Sequence, residues 1–185
     1  MQIIQPLSLS PEQYIQQEYH RRIRPPENCP YCLHPHSLKA LGYYDRFITA
    51  LLAQVLSIWV RRFLCHHCRH TVSCLPEFAQ PYRLVNTPTV QAAFQGQNHY
   101  PEVQRWKSLT ESYWRRFQKH LPDLLQRIGY ALGRYPQEPS TPAVWNLLLK
   151  ACGSLATATR QLVDQFRTCL FGTYRCHQPQ AYHAH

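Results

Sequence analysis

The sequence predicts an α+β chain: an N-terminal helix, a small antiparallel strand module, then an all-α region holding a helix-turn-helix and C-terminal helices. Three observations carry this. Two Cys-x-x-Cys turns, Cys29-Pro-Tyr-Cys32 and Cys65-His-His-Cys68, bracket stretches rich in β-branched and aromatic residues. In the second of these stretches Ile58, Val60 and Leu64 alternate with Trp59 and Phe63, the period of two expected of a strand. Beyond residue 86 the punctuation changes to helix caps, first-turn prolines and terminal glycines.

The first unit, 1–27, opens its helix at Ser10-Pro11-Glu12-Gln13: Ser10 caps, Pro11 suits the first helical position, and Gln13 completes a capping box. Tyr14, Ile15 and Tyr19 form a short apolar stripe, and Pro25-Pro26 ends the helix after Arg21, Arg22 and Arg24. The second unit, 28–82, places strands at 42–46 and 55–64 and a further short one at 71–74, with Pro76 and Pro81 at its exit. In the third, 86–134, Thr87-Pro88 starts a helix that Gly96 ends, and 101–107 form a short second helix. Ser108-Leu-Thr-Glu111 then reads as a capping box opening a helix to about His120, and Pro122 starts a fourth that ends near Gly133. A linker with Pro136, Pro139 and Pro142 leads to a helical pair within 141–172, its first helix stopping at Gly153. The tail 173–185, rich in Gln, Pro and His, is expected to be disordered.

At 185 residues the chain suits one medium domain or two small ones. Its formal net charge is +10, and Lys appears only at 39, 107, 119 and 150, so Arg dominates. Guanidinium forks bind phosphate and guanine edges bidentately, which points a basic, Arg-weighted chain toward nucleic acid. The longest apolar run, 47–60, is interrupted by Thr49, Gln54 and Ser57 and is too short to span a bilayer. The first ten residues have no cationic or strongly apolar segment, so no signal peptide and a cytoplasmic location are expected. The only Asp residues are Asp45, Asp123 and Asp164, a thin supply for two-metal phosphoryl-transfer chemistry.

Reduced cytosolic thiols make metal ligation the better reading of the paired turns. Two Cys-x-x-Cys turns facing each other complete a tetrahedral shell of four sulfurs, so Cys29, Cys32, Cys65 and Cys68 are expected to hold one structural Zn2+. Four thiolates leave no open position for a catalytic water. Nearby His34, His36, His66, His67 and His70 are expected to be exposed or to face phosphate, and Cys74, Cys152 and Cys169 to be buried thiols. Cys176, His177, His183 and His185 are alternative metal ligands in a tail whose composition favours disorder. Bound zinc adds about −2 to the four thiols, leaving the chain strongly basic.

In the helical half Arg105, Lys107, Arg115, Arg116 and Lys119 interleave with Trp106, Tyr113, Trp114 and Phe117. The pattern suits a helix-turn-helix with a turn at Ser108-Leu109 and a recognition helix over 110–119. Thr110, Ser112 and Tyr113 would face bases, Arg105, Lys107, Arg115, Arg116 and Lys119 would hold phosphates, and Arg61 and Arg62 would add a second contact line from the strand module.

The strings Cys29-Pro-Tyr-Cys32, Gly42-Tyr-Tyr-Asp-Arg46 and Val60-Arg-Arg-Phe-Leu-Cys65-His-His-Cys68-Arg-His-Thr71-Val-Ser73 resemble the zinc ribbon that opens several bacterial insertion-sequence transposases. They also resemble the small zinc-ribbon and helix-turn-helix regulators that such elements encode. Ser108-Leu-Thr-Glu-Ser-Tyr-Trp-Arg-Arg-Phe117 is similar to the recognition helix that often follows, so the likeness covers about 28–120. It implies a mobile-element protein bound to duplex DNA, element terminal repeats included, with a transposase subunit or a second copy as further partners. The family's catalytic part is an RNase H-like domain with three acidic residues. No strand-rich segment with suitably placed carboxylates follows Gln80, so the expected chain is non-catalytic and nucleoid-associated: an accessory protein, a repressor or a truncated transposase. Two alternatives are a zinc-ribbon module docking on protein or RNA, and a subunit of an active transposase.

Overall fold

A computed structural model describes residues 1–49, 54–132 and 140–173. The expected linker from Tyr135 and the histidine-bearing tail fall outside these residues, apart from the linker's end at 140–142. The chain is mixed α+β. Strands β2 (Leu38–Thr49), β3 (Val55–Cys65) and β4 (Thr71–Pro76) form the expected antiparallel meander. A strand with no sequence signal joins it: β1 (Gln2–Gln5) pairs parallel with β4, giving the sheet order β1-β4-β3-β2. With only Ile4 of β1 fully buried, no alternation marks it, and the parallel pairing corrects the expectation of a purely antiparallel module.

The capping box at Ser10 forms as read, its side chain accepting from Gln13 N–H while Gln13 reaches back to the Ser10 amide. Helix α1 (Pro11–Gln16) nevertheless stops well before Pro25. Glu18 turns left-handed at φ 46°, and a 3-10 turn at Tyr19–Arg21 follows. The bend seats the segment on β3: Tyr14 is fully buried and its hydroxyl donates to the Trp59 carbonyl at 2.9 Å, while His20 meets the Tyr43 ring edge-on. Covering both sheet faces also explains why β3 breaks simple alternation. Ile58 and Val60 are buried on one face, Phe63 and Cys65 on the other, and Leu64 is only half-buried.

Helix α2 (Thr87–Phe94) is capped by Asn86, whose Oδ1 accepts from Thr89 N–H at 2.8 Å. The same side chain donates to the Thr49 carbonyl, tying the helix start to the end of β2. Helix α3 (Pro101–Arg105) is followed after a one-residue break at Trp106 by α4 (Lys107–Leu132). The expected turn at Ser108-Leu109 and the separate helix from Pro122 are both corrected, because α4 runs straight through Pro122. An interior proline costs about 3 kcal/mol. Burying Phe117, Leu121, Leu124 and Ile128 along one face contributes more, at about 1.5–3 kcal/mol each. Pro122 and Gln118 are exposed, so water can reach the carbonyl that the proline leaves without a helical donor.

Helices α5 (Thr141–Cys152) and α6 (Leu155–Phe166) form the expected C-terminal pair, followed by the two-residue strands β5 (Thr168–Cys169) and β6 (Gly172–Thr173). Ser154 caps α6, and the α5 end at Gly153 has φ 77°, the left-handed turn for which glycine is the usual solution. Side chains gather into two cores. One lies around the sheet and α1, with Tyr14, Ile58, Val60, Phe63, Val72 and Leu75. The other joins α2, α4, α5 and α6, with Val90, Phe117, Leu124, Trp145, Leu148 and Leu155. Helix α6 serves both, giving Val163 to the first and Leu162 to the second. Between them Gln80, 1 % exposed, donates to the hydroxyls of Thr87 and Thr159. Cys74 and Cys169 are buried as expected; Cys152 is only half-buried, its thiol donating to Gln161.

Candidate metal centre and basic helix

The two cysteine turns are built alike. The Cys29 amide donates to the His34 carbonyl at 3.1 Å and the Cys65 amide to the His70 carbonyl at 2.9 Å. Leu33 N–H donates to Cys29 O at 2.8 Å and Arg69 N–H to Cys65 O at 2.9 Å. Leu33 and Arg69 both sit in the left-handed region, at φ 60° and 63°, a conformation that costs a side-chain-bearing residue about 1–2 kcal/mol. The amides of Tyr31 and Cys68 donate to the sulfurs of Cys29 and Cys65 at 3.5 and 3.4 Å.

Between the turns, Cys29 Sγ lies 3.7 Å from Cys68 Sγ, and Cys32 Sγ lies 3.7 Å from Cys65 Sγ. All four sulfurs fall within 4.8 Å of one another. A tetrahedral ion with metal–sulfur arms of about 2.3 Å has sulfur–sulfur edges of about 3.8 Å, so the tetrad has the size of a metal shell. It is the only cluster of three or more such ligands among the described residues. His34, His36, His66, His67 and His70 are exposed around it, with His70 stacked on Tyr31 at 4.3 Å and His34 against His67 at 4.5 Å. They form a rim and not a second ligand set.

Ser37, fully buried, links the turns: it donates to the His34 carbonyl at 2.9 Å, and its Oγ lies 3.2 Å from Cys65 Sγ. Burial alone would raise the Cys65 thiol. Hydrogen bonds from the Cys68 amide, with Ser37 and from the His67 amide outweigh it and bring the thiol down to about 5. Burial raises Cys29 and pushes Cys68 up to about 12. Metal binding at such a tetrad requires the thiols to give up their protons, so it is coupled to proton release.

The basic residues of the helical half divide sharply. Arg105, Lys107, Arg115, Arg116 and Lys119 are exposed, and Ser112 is half-buried beside them. Lys107 pairs with Glu111 at 4.0 Å. Thr110 and Tyr113, expected to face bases, are 4 % and 6 % exposed and point into the helical core. The Thr110 hydroxyl donates to the carbonyls of Trp106 and Lys107, and the Tyr113 hydroxyl accepts from Leu84 N–H at 3.2 Å. Both leave the candidate contact set, because their hydroxyls serve the fold. Arg61 and Arg62 do not form one contact line either. Arg61 stacks on Tyr43 at 4.5 Å and Arg62 over Tyr44 at 5.6 Å, and consecutive strand residues point to opposite faces. One basic feature escaped the sequence reading: a cleft where Arg46 of β2 meets Arg83 of the loop before α2. Thirty-seven positions separate the two, and only the sheet topology brings them together.

Residues 29–117 match the family model described as Domain of unknown function (DUF6431). The matched stretch is just under half of the chain. It begins at the first cysteine of the tetrad, takes in all four cysteines together with Arg46 and Arg83, and ends at the buried Phe117 of α4. No curated protein and no solved structure matches the chain. No helix among the described residues is long and apolar enough to cross a membrane.

Proposed function

We propose that the chain is a zinc-dependent, duplex-DNA-binding protein of a mobile genetic element, acting as an accessory protein or repressor and not as a nuclease. The observation that carries this is the outward face of α4, where Arg115, Arg116 and Lys119 stand in solvent beside the half-buried Ser112 while Tyr113, Phe117 and Leu124 fix the opposite face in the core. A rigid, basic helix face on a chain of net charge +10 suits phosphate contact and groove docking. Zinc is the ion inferred for the tetrad, since four thiolates at tetrahedral spacing suit a closed structural zinc site. Asp45, Asp123 and Asp164 lie apart on β2, α4 and α6, and among the described residues no carboxylates gather into a cluster of metal ligands. The likeness to transposon ribbons supplies the mobile-element assignment.

Fluorescence anisotropy with duplex DNA across a salt series tests the reading. The parent should bind with a steep salt slope, and the double change Arg115→Ala/Arg116→Ala should weaken binding on all sequences and flatten the slope by about 2. A parent without salt-dependent binding, or a double variant that binds like it, would sink the assignment. A second reading, a module that docks on protein, draws on Phe47, Val55 and Trp59, which are 61 %, 45 % and 51 % exposed on the β2–β3 hairpin. It is favoured if Trp59→Ser abolishes partner capture while DNA binding is absent from the parent.

A further inference from the structure

The outer strand pair of the sheet leaves one face open to water. Its register sets Tyr43 opposite Arg61, Asp45 opposite Trp59 and Phe47 opposite Ser57, so these six side chains share a face. The other face of the pair carries Ile58 and Val60, both fully buried in the sheet core. On the open face Phe47 and Trp59 are more than half exposed. A sheet face turned to water is ordinarily polar, so two large exposed rings on it call for an occupant. Of the four tryptophans only Trp59 is exposed.

Phe47 and Trp59 hold diagonal positions across the ladder, and such positions are about 7–8 Å apart. Asp45 and Ser57 take the other diagonal, and the Ser57 hydroxyl donates to the Asp45 carboxylate. Two residues beyond Trp59 on β3, the Arg61 guanidinium lies 4.5 Å from the centre of the Tyr43 ring. Arg61 is half-buried, its Nε is shielded from water without a hydrogen-bond partner, and among the described residues no carboxylate pairs with it.

Separate rings with a cation at one end suit a chain of flat, anionic units. Every nucleobase has a π-face, and stacking on an aromatic side chain tolerates any sequence. Bases within a duplex are stacked on one another, so rings of this kind meet unpaired bases. A protein partner would bury a contiguous apolar patch, which Asp45 and Ser57 interrupt here. The net charge of +10 also favours a polyanion.

We propose that the open face of the β2–β3 hairpin binds single-stranded DNA, with bases stacked on Trp59 and Phe47 and a phosphate held by Arg61. The inference rests on the DNA-binding reading above and extends it: α4 docks on duplex, and the hairpin takes up unpaired bases of the same DNA.

The test uses the full, zinc-loaded chain with a blunt duplex and with a thymidine oligomer of about 12 nucleotides, inside the roughly 4–16 of compact single-strand sites. Binding of the oligomer should quench tryptophan emission, and Trp59→Phe should keep most of the affinity while losing the quench. Trp59→Ala and Phe47→Ala should each weaken oligomer binding about tenfold and leave duplex affinity unchanged. Neither residue belongs to a core, so both variants should fold. Arg61→Gln should lower the oligomer's salt slope by about 0.7. A parent that binds duplex but not the oligomer overturns the inference and leaves the α4 reading standing. Oligomer binding that survives Trp59→Ala undiminished overturns it too, because the strand then lies elsewhere. A parent that binds the oligomer through Trp59 but binds no duplex upholds the stacking face and sinks the α4 reading. If neither DNA binds, both fail, and sedimentation of the parent against Trp59→Ala shows whether a second copy covers the rings.

Discussion

The sheet half and the helical half of this molecule bury similar side chains but are held by different means. Two of the four cysteines, Cys29 and Cys65, are members of the sheet core, and Cys32 and Cys68 lie against it. The cysteine tetrad is thus a structural part of that core. The helical core has no metal-binding member; Phe94, Trp114, Phe117 and Trp145 meet there at ring separations of 4.7–6.3 Å. A metal bound by the four sulfurs would concentrate the stability of one half in a single ion, while the other half spreads it over many apolar contacts.

Removing the ion should separate the halves most widely. Apparent zinc-binding free energies of structural sites, about 10–16 kcal/mol at neutral pH, rival the whole stability of a typical domain. Chelation should therefore abolish hydrogen-exchange protection in β3 and β4 while the amides of α4 and α5 stay slow; protection lost equally everywhere would show one cooperative unit. Cys65→Ser should reproduce the effect of chelation. Next in size, Phe117→Ala should cost about 3–5 kcal/mol in denaturant unfolding and leave the metal content at one ion per chain. Loss of the ion in that variant would mean that α6, which serves both cores, transmits the damage.

The smallest expected effect concerns His120, which sits 7 % exposed with Nε2 3.1 Å from the Thr168 hydroxyl and Nδ1 3.5 Å from Asp123. Burial holds its pKa below the ordinary 6.5; Asp123 works the other way and Arg127 adds to the lowering. The unfolded chain thus takes the proton first as pH falls. Stability from this group is complete above about pH 6.5 and declines on acidification through that value toward the lower folded-state pKa. Urea midpoints at pH 7.5 and 5.5 should fall more in the parent than in His120→Gln, and equal drops would break the assignment.

What the sequence disclosed followed the range of the forces involved. The cysteine tetrad was legible because each turn is closed by its own backbone, and the caps at Ser10 and at Thr87-Pro88 were legible for the same reason. The break between α3 and α4 was misplaced because Ser108-Leu-Thr-Glu111 imitates a capping box inside a helix whose extent is set by burial. The roles of Thr110 and Tyr113 were misjudged because helical facing depends on which side meets the core. The Arg46–Arg83 cleft was not legible, since Arg46 stands in the Gly42-Tyr-Tyr-Asp-Arg46 string but nothing local links it to Arg83 until the hairpin folds back. β1 was hidden by its brevity.

The likeness of the two cysteine turns extends beyond ligand geometry. Segments 29–34 and 65–70 share a length, a pair of closing backbone bonds and one left-handed residue at the same place. As pieces of chain they are interchangeable parts, so a protein carrying Cys65-His-His-Cys68-Arg-His70 in both positions should still close its shell. Ser37 has no twin: one hydroxyl reaches the carbonyl of the first turn and the sulfur of the second. The duplicated part can be copied, but the clasp between the copies exists once, and drift in either turn is tolerable only while that clasp still fits.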